Sequence, residues 1–100
     1  MSAIVSRLNK ETAKHYGYEA QSNQLVEECA ELIQAVSKYR RAEGADKRAV
    51  ALENLIEEIA DVEIMIEQIK YLLQIPEEDL EAVKLFKVNR TRERTASKGV

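Results

Sequence analysis

The sequence predicts an all-α protein, and three observations carry that prediction. Apolar residues recur at i, i+3, i+4 and i+7 through two long stretches, the spacing of a buried helix face. Three Gly and one Pro in 100 residues leave little turn chemistry for a β fold. Hydrophobic residues at 45% and charged residues at 33% suit amphipathic helices. Four helices are expected in a single domain over residues 1–94, with residues 95–100 a frayed tail.

The first helix is expected over residues 3–16, where Ile4, Leu8, Ala13 and Tyr16 are loosely spaced apolar positions and Gly17 is a stop. The second runs from about Ser22 to Ala42. Its stripe is Leu25, Cys29, Leu32, Val36 and Tyr39, widened by Val26 and Ile33, and Cys29 is expected in the core. Lys38, Arg40 and Arg41 in the last turn suit the negative end of the helix dipole, and Gly44 follows as a stop.

Asp46 is the expected N-cap of a long third helix ending near Leu73, ahead of Ile75-Pro76. Its stripe is Leu52, Leu55, Ile59, Val62, Ile66, Ile69 and Leu73. Ile64, Met65 and Leu72 fall outside that stripe and widen the apolar arc beyond what one hairpin partner covers. The surplus predicts a bundle completed by self-association, as a homodimer or homotetramer. Pro76 with Glu77, Glu78 and Asp79 has the chemistry of a first helical turn, opening a fourth helix to about Arg92. The short connection around residues 43–46 makes helices two and three an antiparallel hairpin.

A net charge of −3 argues against nucleic acid as the main partner. The single cysteine cannot form an intrachain disulfide, which favours a reducing compartment. The opening residues lack the pattern of a signal peptide, and no apolar run approaches the roughly 20 residues of a bilayer span. A soluble cytoplasmic protein without a membrane partner is expected. His15 is a lone histidine, expected to be structural or exposed.

Leu25-Val-Glu-Glu-Cys-Ala-Glu-Leu-Ile33 recurs as Leu55-Ile-Glu-Glu-Ile-Ala-Asp-Val-Glu63. Advancing about 100° per residue from Leu25, Glu28 falls near −60° and Glu31 near −120°; Glu58 and Asp61 fall at the same angles measured from Leu55. Each pair is therefore expected on the flank of its buried stripe, and the hairpin brings the pairs face to face. Glu27 and Glu57 lie further round, towards solvent. A solvated charged face would supply Lys or Arg three or four residues from each acid. None of the four has one, and several neighbours are themselves acidic. Carboxylates without accompanying His or Cys suit Mg²⁺ or Mn²⁺ rather than zinc, and Mg²⁺ commonly takes phosphate oxygens from a substrate. Further on, Lys84, Lys87, Arg90, Arg92 and Arg94 form a basic run; if the last helix folds back over the hairpin, these cations would face bound phosphates.

Glu27-Glu28-Cys-Ala-Glu31 followed by Glu58-Ile-Ala-Asp61 resembles the EExxE…ExxD signature of the MazG-type all-α nucleoside triphosphate pyrophosphohydrolases. The resemblance extends over residues 21–73 and more loosely to the C-terminal basic helix. It implies a MazG-like helical oligomer, dependence on Mg²⁺, and hydrolysis of a nucleoside triphosphate to the monophosphate and pyrophosphate. By motif position, Glu28, Glu31, Glu58 and Asp61 would be metal ligands, with Glu27 an outer group or the activator of water. Lys87 and Arg90 resemble the family's phosphate-binding residues, and Gln24 and Asn54, one turn before Glu28 and Glu58, would offer amide contacts to substrate. With no Trp and one Phe, an aromatic clamp on the base would come from Tyr16, Tyr18, Tyr39 or Phe86, which leaves base preference open. A phosphoribosyl-ATP pyrophosphatase of histidine biosynthesis and a non-catalytic helical interaction module are the alternatives.

Overall fold

The computed structural model describes residues 1–97, and every regular element among them is helical. Three helices follow one another: α1 (Ala3–Arg41), α2 (Ala45–Leu72) and α3 (Glu77–Ser97). The first two expected helices are the two segments of α1. Gly17 breaks them apart with φ 85° and ψ 173°, a backbone region that residues with a side chain rarely enter. The helix resumes directly after Gly17 instead of at Ser22, because a single glycine bends the chain without needing a loop. Ser2 caps the start, its hydroxyl accepting from the Val5 N–H at 3.3 Å.

The N-terminus of α2 departs from expectation. Gly44, at φ 88°, occupies the cap position without a side-chain bond, and Asp46 lies in the first turn, where its charge faces the helix dipole. At the other end, Gln74 takes a left-handed conformation (φ 55°). The Ile75 N–H bonds the Lys70 carbonyl and the Gln74 N–H bonds that of Tyr71, the paired bonds of a Schellman stop. Lys70 also pairs with Glu67 and with Glu77, tying the end of α2 to the start of α3. Helix α3 continues past Arg92, so Thr95 and Ala96 are helical; the remainder of the expected frayed tail, 98–100, lies outside the described residues.

α1 and α2 pack as the expected antiparallel hairpin, whereas no Cα of α3 comes within 8 Å of a Cα in either. The last helix therefore does not fold back over the acidic arms of its own chain. Packing between the arms is thin. Among the described residues only Ala13, Ala35, Val62 and Met65 are buried hydrophobics, so Met65 belongs to the core, contrary to its expected place outside the stripe. Cys29 is exposed, and Val36, Leu52, Ile59 and Ile66 keep more than 40% of their surface.

These departures share a cause. The less exposed residues of the two arms, among them Leu25, Glu28, Leu32 and Ala35 on α1 and Leu55, Glu58, Val62 and Met65 on α2, centre near −40° on the same wheel. The arms thus meet along a line close to the acids, and much of the apolar stripe is left at the margin.

Polar groups fill part of the narrow interface. Gln21 Nε2 donates to Gln68 Oε1 at 2.7 Å, Gln68 Nε2 to Asn9 Oδ1 at 2.6 Å, and Asn9 Nδ2 to the Ile64 carbonyl at 3.0 Å. All three side chains belong to buried residues. Asn9 precedes the bend at Gly17 and Gln21 follows it, so this amide chain fastens both segments of α1 to α2.

Candidate functional site

The arms bring Glu28, Glu31 and Glu58 together, each offering a carboxylate oxygen within 4.8 Å of the others. Glu28 and Glu31 sit one turn apart on α1, and Glu58 faces them from α2, as the repeated spacing implies. Asp61 joins through Glu28. Burial first, then the charge of nearby Glu28, push the Asp61 carboxyl above its ordinary value. A carboxyl raised in this way stabilises the fold below the ordinary carboxylate pKa, and that contribution is lost as pH rises through the raised value.

The surroundings hold the carboxylates without neutralising them. Gln24 Nε2 donates to Glu28 Oε1 at 2.8 Å, fixing one side of that group. The other oxygen, Glu28 Oε2, is buried with no hydrogen-bond partner, and so is Glu58 Oε2. Each unsatisfied buried oxygen costs about 1–3 kcal/mol, and more when charged. No ion pair among the described residues involves any of the four acids. Two orphaned oxygens in an all-oxygen donor set fit a hard divalent cation.

The other candidates are distributed unevenly. Glu27 is exposed beside the cluster and outside the triad. Gln24 is engaged with Glu28, while Asn54, half-buried one turn before Glu58, lines a cavity towards the hairpin turn. Lys87 and Arg90 are exposed on α3, where the Arg90 guanidinium lies 5.8 Å from the centre of the Phe86 ring. With α3 apart from the hairpin, they reach the acids only from another copy of the chain or after movement of α3.

Sequence reasoning missed the buried amides Asn9, Gln21 and Gln68, of which Gln21 lies two turns before Glu28 and Gln68 two turns after Asp61. No local pattern marks them, because the partners are 47 and 59 residues apart. No protein-family model, curated protein or solved structure matches the chain. No helix among the described residues is long and apolar enough to cross a membrane.

Proposed function

We propose that this protein is a divalent-cation-dependent nucleotide pyrophosphohydrolase, cleaving a nucleoside triphosphate to the monophosphate and pyrophosphate. The observation that carries the cation is the pair of buried, unpartnered oxygens of Glu28 and Glu58 within the carboxylate triad. The reaction itself rests on the resemblance of Glu27-Glu28-Cys-Ala-Glu31 and Glu58-Ile-Ala-Asp61 to the EExxE…ExxD signature.

Glu28, Glu31, Glu58 and Asp61 would hold Mg²⁺, or Mn²⁺ in its place. Such an ion, when bound, neutralises polyphosphate charge and acidifies water. Gln24 keeps Glu28 oriented throughout. In the hydrolysis a water oxygen bonds to the α-phosphorus, the bond from that phosphorus to the α,β-bridging oxygen breaks, and pyrophosphate leaves. Glu27, exposed beside Glu28 in the sequence, would accept the proton the water loses.

Self-association belongs to the same proposal. The chain exposes 7843 Å², against about 5,800 Å² for a folded monomer of its mass. Its radius of gyration is 17.1 Å, against about 13 Å for a compact domain of this length. The excess, about 2,000 Å² per chain, is of the size an obligate homodimer buries. Light scattering should return at least twice the 11.4 kDa chain mass; a monomer at micromolar concentration would remove this part of the proposal.

The activity is tested by incubating the protein with a panel of NTPs, dNTPs and phosphoribosyl-ATP, with and without Mg²⁺. Release of pyrophosphate and a monophosphate only when Mg²⁺ is present is the expected result. Release of single phosphates, or no turnover across the panel, would reject it.

A further inference from the structure

The hairpin turn carries a second feature, of opposite charge to the acidic site. A cavity of about 650 Å³ opens there, walled by Lys38, Arg41 and Lys47, with Asn54 at one side. Asp46 is the only carboxylate in its lining, and Val50 and Ala51 supply apolar surface. None of the three cations has an ion-pair partner among the described residues. Two further cation-lined cavities flank Lys10 and Lys14 and are less available to an anion, since Lys70 is paired with Glu67 and Glu77 at the wall of one and Arg7 with Glu11 at the wall of the other.

The position of the first cavity relative to the acids is set by helix geometry. Stepping about 100° per residue from Leu55 puts Lys47 near −80°, Ala51 near −40° and Asn54 near −100°, the arc that also holds Glu58 and Asp61. On α1 the same count places Lys38 near −140°, beside Glu31. Asn54 is one turn from Glu58, and Lys38 stands seven residues, about 10 Å along the axis, from Glu31. One face of the hairpin thus runs from carboxylates, through an amide, to unpaired cations at the turn.

We propose that this cationic end is a polyphosphate-binding mouth, holding the phosphates of a nucleotide that extend away from the carboxylates. Lysine supplies mobile point charges on long stems, suited to phosphates that change position as a bond breaks, and arginine adds a planar fork. Identifying the anion as part of a nucleotide rests on the function proposed above; the capacity to bind a polyphosphate does not. Lys38, Arg41 and Lys47 perform from within the hairpin the role expected of Lys87 and Arg90, which α3 holds away from it.

The test is calorimetric titration of the full chain with inorganic pyrophosphate and tripolyphosphate in metal-free, low-salt buffer. Wild type should bind both. Lys38→Ala/Lys47→Ala should weaken binding at least tenfold, with helicity unchanged by circular dichroism, whereas the charge-matched Lys10→Ala/Lys14→Ala should change it less than twofold. Glu58→Gln should retain binding. No binding by wild type, or equal binding by the Lys38/Lys47 variant, would overturn the proposal. Intact polyphosphate binding by a protein that hydrolyses no nucleotide would reject the catalytic function while leaving the mouth in place.

Discussion

Glu58→Gln is expected to reduce Mg²⁺-dependent hydrolysis to below about one hundredth of the wild-type rate, a barrier increase of about 2.7 kcal/mol or more. The substitution keeps shape and removes charge from a group whose Oε2 is buried and unpartnered beside Glu28 and Glu31. A cation held by these groups would lose both a ligand and part of its charge balance. Without metal the same change should be neutral or stabilising by about 1 kcal/mol, because an amide can donate to the neighbouring carboxylates and ends one repulsion. Steady-state hydrolysis and urea melts in chelator measure the two effects. Near-wild-type turnover would remove Glu58 from the ligand set, and marked loss of metal-free stability would make it a structural residue.

Gln68→Leu should be the most damaging substitution for the fold, costing about 2–5 kcal/mol. Gln68 is 3% exposed and forms the middle of the amide chain. Leucine there leaves the Gln21 donor and the Asn9 acceptor without partners inside the hairpin, at about 1–3 kcal/mol each. The segment after Gly17 would lose its polar anchor on α2 and the segment before it would keep only the Asn9 bond to the Ile64 carbonyl, so the unfolding midpoint in urea should fall steeply. Gln68→Glu should destabilise as well: one carboxylate oxygen can still accept from Gln21, but the other meets Asn9 Oδ1 acceptor to acceptor and its charge is buried without a partner. Equal midpoints for wild type and Gln68→Leu would show that water replaces the chain at no cost.

Much of this architecture was legible in the sequence because helix periodicity is local. The apolar spacing located the arms, Gly17 located the bend, and the short connection before Ala45 fixed the antiparallel hairpin. The acidic site was legible for the same reason: a spacing repeated on two arms places Glu28, Glu31 and Glu58 together whenever the arms pair in register. The rest depends on tertiary geometry. A stripe centred on the leucines includes Cys29 and leaves Met65 outside it, whereas the arms meet closer to the acids, which exposes Cys29 and buries Met65. Nothing in the local composition of α3 encodes whether it returns to its own hairpin. Asp46 lost the cap to Gly44 because the positive φ at that position strongly favours glycine.

Whether the carboxylates of the two arms form a cation site is decided by titrating metal-free protein with Mg²⁺. A saturable isotherm with a defined stoichiometry, lost in Glu58→Gln, is the predicted result. A weak, non-saturating signal shared by wild type and variant would mark the acids as a charged surface and contradict the account.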